Sequence, residues 1–453
     1  MKMMKRMLAI LLMLVMCCTL AACQKDDANA ETVGAAVSTG NPEDVLLTVG
    51  GYNLTRGEYE GYLRTLVDYY TNYGYDVTDP ELMAMLRQFA LQTGIEYAVL
   101  DQKLAELGLS LTEEEADAAR KTAQEEWNAT LEDGLAYYGI TADSTEQERA
   151  DTLVVILAEL EAMGYTEESY LADAVTYAGY DKLFEYVSKD ITVSDEDVVT
   201  YYNTLVEADR AVYENDAAAY ETTQYMNQMY MMYGMTDYVT EIYYKPNGYR
   251  LVTHILLEAD EALLLAYTDL QAAYEEQQLI LEEGGEVTGD LVTEEEIENA
   301  RLAILAYVQP TVDEIMKKLE EGATFAELIP VYTADPGMAD EAAIAAGYEV
   351  HMDSTNWVIP FRDQAFTVSN IGDVTAPVVT DYGVHIIQYV ADVPGGPVEL
   401  TDDMKAAFAE MLLSSAQRDA YNQAIAQWVE EADVVYSDEA KAILGITEEA
   451  AAE

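Results

Sequence analysis

Cysteine is nearly missing from this 453-residue chain: Cys17, Cys18 and Cys23 are all there are. Beyond residue 23, no disulfide framework and no thiolate zinc site can form. Positive charge is scarce, with 23 Lys and Arg against 85 Asp and Glu and a net charge of −62. A surface of that sign repels phosphate backbones and anionic headgroups. Nucleic-acid binding is therefore excluded, and any membrane attachment has to be covalent or hydrophobic. Histidine is limited to His254, His351 and His385. There is no acidic D-x-[DN]-x-[DN]-G calcium loop, no internal repeat and no low-complexity block. Nothing in the composition calls for a cofactor or a metal. Apolar and phenolic side chains are plentiful: 50% of residues are hydrophobic and 35 are Tyr. That content supports folded domains, about two or three at this length.

The cysteines sit in a leader-like segment. Lys2, Lys5 and Arg6 precede an apolar run over 7–16, and Leu20-Ala21-Ala22-Cys23 follows. The run is short for a membrane span and has the layout of a signal peptide. The four residues match a bacterial lipobox, so residues 1–22 are expected to be removed and Cys23 to carry the lipid. Acyl chains, at about 0.8 kcal/mol per buried CH₂, would anchor even this acidic body to the extracytoplasmic face of the cell membrane. Residues 23–43 are small, polar and aperiodic, a tether.

A short strand is expected over 45–49, with a turn at Gly50-Gly51. Thr55-x-x-Glu58, Thr112-x-x-Glu115 and Ser194-x-x-Asp197 are capping boxes, and residues 55–211 read as mostly helical. Around 220–244, Met and Tyr mix with polar residues without a clean helical stripe. Two readings stand there: filler in a helical hairpin, or an adaptable thioether surface for nonpolar chain segments. The period changes near residue 248. A strand is expected over 249–257, then an acidic helical stretch over 258–310 with a box at Thr293-x-x-Glu296. Val312, Ile315, Met316 and Leu319 define a separate amphipathic helix stopped by Gly322. A short helix follows Thr324-x-x-Glu327, and another opens at Pro360 with Phe361 and Phe366. Two strands end this part, over 376–380 and 384–390. Pro394-Gly395-Gly396-Pro397 reads as a hinge, followed by a long helix over 401–432, a strand over 434–436 and a loose tail over 446–453.

His254 and His385 both lie within aliphatic strands, Thr253-His254-Ile255-Leu256-Leu257 and Gly383-Val384-His385-Ile386-Ile387. A single histidine in such a place is usually structural; two, at both ends of one domain, suggest a shared site. Five segments in order make the point stronger. They are Thr253–Leu257, Gly322-Ala323-Thr324-Phe325-Ala326-Glu327-Leu328, Thr333-Ala334-Asp335-Pro336-Gly337, Phe361-x4-Phe366 with Gly372-Asp373-Val374-x-x-Pro377-Val378, and Thr380-x-x-Gly383-x-His385-Ile386-Ile387. Together they resemble the parvulin peptidyl-prolyl isomerases from about 249 to 390. With the lipobox, the preceding helical domain and the returning C-terminal helix, the chain resembles the PrsA/SurA-type foldases.

The resemblance implies an α+β architecture. A mostly helical chaperone domain is formed by 44–245 together with 395–445. A parvulin-like domain over 246–394, built around a small antiparallel-rich sheet and carrying a helical insertion at 258–310, is inserted between them. It implies catalysis of X-Pro isomerisation in secreted clients combined with chaperone binding; the alternative is a non-catalytic holdase that keeps the parvulin-like unit as a binding module. Expected partners are unfolded or newly secreted polypeptides, with a homodimer possible. By resemblance Leu256, Trp357 and Phe361 wall the proline pocket with Phe366 behind them, and Asp335 sits near the rotating carbonyl. His254 and His385, bonded to each other and to Thr380, set that carboxylate's surroundings. For Asp335 an Asx turn before Pro336 is the plainer reading, and for Trp357 and Phe361 simple core. Two departures stand out. Ala345-Ala346-Gly347-Tyr348-Glu349-Val350 replaces the family's Gly-Gly-Asp-Leu-Gly. The insertion brings Glu282, Glu283, Glu294, Glu295 and Glu296 to where phosphate-directed members place basic residues, which argues against a phosphoserine-proline preference.

Overall fold

The computed structural model describes residues 40–287, 289 and 291–446. The expected signal peptide, Cys23, most of the tether and nearly all of the tail lie outside the described residues. Contacts group the chain into two compact units, Met1–Val193 with Glu410–Glu453, and Ser194–Ala409. These divisions differ from the boundaries at 245 and 394 expected from sequence. Chain order begins β1 (Val45–Val49), β2 (Tyr52–Thr55), α1 (Arg56–Asn72), α2 (Pro80–Glu106), α3 (Glu113–Tyr137), α4 (Glu146–Ala162) and α5 (Glu167–Ser188). Next come α6 (Asp195–Tyr213), α7 (Ala217–Met232), β3 (Tyr244–Lys245), β4 (Arg250–Leu257), α8 (Glu261–Glu282), α9 (Glu294–Glu320), α10 (Phe325–Tyr332) and α11 (Glu341–Ala346). The chain closes with β5 (Tyr348–Val350), α12 (Ile359–Ala365), β6 (Val378–Thr380), β7 (Gly383–Asp392), β8 (Gly396–Pro397), α13 (Asp402–Glu431), β9 (Val434–Tyr436) and α14 (Asp438–Leu444).

Helix starts follow the side-chain chemistry closely. At Thr55, Thr112, Ser194, Thr293 and Thr324 the hydroxyl accepts from the N3 amide while the N3 carboxylate accepts from the cap amide, and Thr145 with Glu148 does the same. In the first unit the strands lie in the order β2-β1-β9, all antiparallel, so the two ends of the unit share one sheet. The β1–β2 turn uses Gly50 and Gly51 at positive φ (53° and 97°). Leu46, Leu47, Val49 and Leu54 bury against Leu86, Ala90, Leu91 and Ala98 of α2. Arg56, 6% exposed, donates both guanidinium ends to Glu439 of α14.

The second unit is built on the antiparallel sheet β5-β4-β7-β6. Alternation along β4 sends Ile255 and Leu257 to one face and Val252, His254 and Leu256 to the other. On the first face they pack with Val379, Val384 and Ile386 beneath Ile304, Val308, Val312 and Ile315 of α9 and Phe325, Leu328 and Ile329 of α10. The acidic stretch 258–310 is thus part of the core, with Tyr267 of α8 in the same cluster. The separate helix expected after Pro310 does not exist. One 27-residue helix runs through that proline, because its buried face at spacings of four, four and three continues across it and outweighs one missing backbone bond. The expected hinge at 394–397 is also replaced: Gly396 and Pro397 pair with Lys245 and Tyr244 as β3–β8. A Cβ on Gly395 would lie 2.6 Å from the Pro246 carbonyl oxygen, so glycine there permits the close backbone approach.

Of the Met/Tyr-rich segment, α7 buries Ala217, Tyr220 and Glu221, while Tyr225, Met226, Met231, Met232 and Tyr233 are exposed. Glu221 is 3% exposed and fully engaged, accepting from Tyr249 Oη, Ser354 Oγ and the Thr355 amide.

Candidate active site

Register brings the two strand histidines together. Leu256 faces His385 across β4–β7 and His254 faces Ile387, so the imidazoles are diagonal neighbours on one face. Their Nδ1 atoms lie 2.9 Å apart and the rings stack at 5.0 Å. His385 Nε2 lies 2.8 Å from Thr380 Oγ1, and His254 Nε2 lies 2.6 Å from Asp335 Oδ2. Tyr348 Oη donates to the same Asp335 oxygen at 2.8 Å, and the Gly337 amide donates to Oδ1 at 2.9 Å. The Asx turn and the histidine contact are therefore made by one carboxylate at once. Thr333 Oγ1 accepts from the amides of Leu256 and Asp335, and the Ala334 amide donates to the Leu256 carbonyl, which fixes the Asp335 loop on the end of β4.

The charge states determine the direction of every proton. Burial lowers both imidazoles' affinity for a second proton: His254 is pushed down, with Asp335 partly opposing, and His385 falls to about 3. Burial pushes the Asp335 carboxyl up, but the bonds from Tyr348, the Gly337 amide and His254 outweigh it and leave the group below its ordinary value. An ionised carboxylate only accepts, so His254 Nε2 carries the proton. Its Nδ1 then accepts from His385 Nδ1–H, and His385 Nε2 accepts from the Thr380 hydroxyl. The Tyr382 amide donates in turn to Thr380 Oγ1. The His254–Asp335 contact is thus a hydrogen bond from a neutral ring, and a single negative charge sits at the end of a chain that points toward it.

Aromatic rings surround this chain. Phe361, 2% exposed, sets its edge against both imidazoles, at 5.2 Å from His254 and 5.1 Å from His385. It lies beneath the site and backs it. Trp357 is half-buried, 5.4 Å from Phe361 and 4.8 Å from Tyr348, with its indole N–H donated to the Glu349 carbonyl. Leu256 is half-buried on the histidine face. Phe366 packs under the Arg250 guanidinium at 4.5 Å, with Tyr389 at 4.3 Å from the same cation. Arg250 also donates to the carbonyls of Ala365 and Val368 and so fixes the end of α12. A cavity of about 630 Å³ opens elsewhere, beside Leu257, Tyr307, Thr311 and Tyr332; it includes neither Asp335 nor the aromatic wall.

Residues 299–392 match the family of the PPIC-type PPIASE domain. This segment is a parvulin-type domain. The match holds Asp335, Trp357, Phe361, Phe366, Thr380 and His385; His254 and Leu256 precede it and join the domain through β4–β7 pairing. The Listeria monocytogenes (serotype 4b) protein "Foldase protein PrsA 2" is 31% identical over 136 residues, 30% of this chain and 44% of that protein. A Clostridium botulinum Type A "Foldase protein PrsA" is 23% identical over 234 residues, 52% of this chain and 63% of that one. The chain spans less than half the length of the Listeria relatives it matches. Among solved structures, PrsA from Bacillus subtilis aligns over 90% of this chain and 100% of its own at 18% identity, with a TM-score of 0.21.

Tyr348 and Arg250 join the candidate site without having been given a role from sequence, whereas Thr333 was read as the start of the Asp335 segment. Tyr348 carried a signal, since it lies in the segment where the chain departs from the family's glycine-rich loop. Arg250 carried none: a lone Arg at a strand start does not announce the two rings it will meet.

Proposed function

We propose that this chain is an extracytoplasmic folding factor that isomerises X-Pro bonds in secreted polypeptides and holds unfolded clients. Its body would comprise 44–245 with 395–445, the isomerase 246–394, and a lipid on Cys23 would keep it at the membrane. The observation that carries the catalytic part is the one-way hydrogen-bond chain ending on an ionised Asp335, whose partner Tyr348 lies 4.8 Å from Trp357. Rotation about a peptide bond faces a barrier of roughly 18–20 kcal/mol and transfers no proton, so neither nucleophile nor general base is required. The site has to bind the twisted amide better than the planar one. A planar amide places negative charge on its carbonyl oxygen; twisting returns that charge to nitrogen. A fixed carboxylate near the carbonyl therefore destabilises the planar form selectively, and a low-dielectric surround strengthens the effect. The neutral imidazoles supply that surround with no competing positive charge. Leu256 and the exposed faces of Trp357 and Tyr348 offer the proline ring its contact, with Phe361 behind.

The test is catalysis of a proline-limited refolding reaction by the full chain, compared with Asp335→Asn. The substitution keeps the side-chain shape and removes the charge. Catalysis is expected to fall at least about tenfold, or about 1.4 kcal/mol of barrier, in a chain that still folds. A folded Asp335→Asn chain that catalyses as well as the parent would refute the assignment.

A further inference from the structure

Tyr348 is built into the site with more constraint than a filler residue needs. Its backbone starts β5 opposite Val252, immediately after Gly347 at φ 60°. Its ring is 5.4 Å from His254 and 4.8 Å from Trp357. The phenol passes so close to Gly337 that a Cβ on that residue would lie 1.8 Å from the phenolic oxygen. Gly337 also donates its amide to Asp335 Oδ1, so the same glycine makes room for the phenol and binds the other end of the carboxylate. Burial and the Asp335 charge push the phenol's pKa upward, so Tyr348 is a donor throughout the physiological range.

Asp335 Oδ2 accepts two protons, from His254 and Tyr348, and Oδ1 accepts one. The titratable groups facing it are His254 and Tyr348, with His385 one step behind. Among the described residues no Lys or Arg pairs with it. Without the phenol, Oδ2 would be held by a single neutral imidazole, and the carboxyl could turn about its Cβ–Cγ bond or take up a proton more readily. We propose that Tyr348 is a positioning residue of the isomerase site, whose phenol keeps Asp335 ionised and fixed in orientation. This inference rests on the role given to Asp335 above. It also gives the altered loop a purpose: the departure from the family's glycine-rich segment places a phenol on the carboxylate.

The experiment follows the Asp335 carboxyl by NMR in the full chain labelled at aspartate carboxyl carbons, assigned with Asp335→Asn, alongside the pH profile of kcat/KM on a proline peptide. In the parent, Asp335 should titrate below the ordinary carboxylate value. Tyr348→Phe keeps the ring and removes the donor. Its carboxyl midpoint should rise by about half a pH unit or more, the acid limb of kcat/KM should move up with it, and kcat should fall more than KM changes. An unmoved midpoint in a folded Tyr348→Phe chain overturns the inference, as does a parent midpoint at or above the ordinary value, which needs no Tyr348 variant to observe. A parent chain with no isomerase activity but a midpoint that moves in Tyr348→Phe removes the functional reading alone and leaves the Tyr348–Asp335 coupling in place.

Discussion

At the scale of single residues, the histidine pair shows how much a motif can carry. His254, Asp335, Thr380 and His385 are readable in the sequence because each sits in a short segment with its own texture, and the structure brings all four into one hydrogen-bonded line. Which nitrogen holds which proton was not readable, since that depends on Asp335 staying ionised and on the burial of both rings. The order of protons leads to a prediction for His385→Ala. That substitution leaves the Thr380 hydroxyl without its acceptor and His254 Nδ1 without its donor. Each buried orphan costs roughly 1–3 kcal/mol, and the lost packing against Phe361 adds to it. Chemical denaturation of the second unit should show a loss of at least about 2 kcal/mol. A variant as stable as the parent would mean that the imidazole pair bears no structural load. Tyr348 marks the limit of residue-level reading: its identity is visible, but its phenol is brought to Asp335 by a strand register that no local pattern specifies.

At the scale of elements, capping boxes were the most legible feature, because both of their bonds are made within four residues. Errors came where distant packing overruled a local signal. Pro310 reads as a stop, yet α9 continues through it with Ile304, Val308, Val312 and Ile315 all buried on the sheet. Glycine flanked by prolines reads as a hinge, yet Gly396 and Pro397 find a strand partner 150 residues away in β3. Pro310 itself is exposed and has no amide hydrogen to donate to the Ala306 carbonyl. Pro310→Ala should restore that bond without disturbing the buried face. Helix-interior proline costs up to about 3 kcal/mol relative to Ala, and part of that is already relieved in a helix that tolerates it. A gain of about 1–2 kcal/mol in the unfolding free energy of the second unit is expected by denaturant titration. A loss would show that the α9 geometry at Pro310 is required by the packing around it.

For the whole molecule, the net charge of −62 sets the background, and a few buried groups decide how stability answers to pH. In the second unit, His254 and His385 refuse a proton when folded, His385 down to about pH 3. The unfolded chain accepts those protons near pH 6.5. Below that pH the unfolded state binds more protons than the native one, so stability falls as pH falls, by up to about 1.4 kcal/mol per histidine per pH unit. The Asp335 carboxyl, depressed in the fold, adds a loss of the same sign only at much lower pH. The first unit behaves oppositely. Burial of Glu96 on α2 pushes its carboxyl up to about 7, so the folded state binds a proton there more readily than the unfolded one. Stability of that unit should therefore rise as pH drops from 8 toward 5. Burial also pushes the carboxyls of Asp101 and Asp173 upward in the same unit, which adds to that rise. Hydrogen exchange at core amides separates the units: between pH 7.5 and 5.5, protection at Ile255 and Ile387 should fall while protection at Ala98 and Leu100 rises, after correction for the intrinsic exchange rate. Glu96→Gln should weaken the second trend and leave the first. Parallel changes in both units, or a Glu96→Gln chain whose rise is undiminished, would show that the general release of like-charge repulsion, and not burial of Glu96, governs the response.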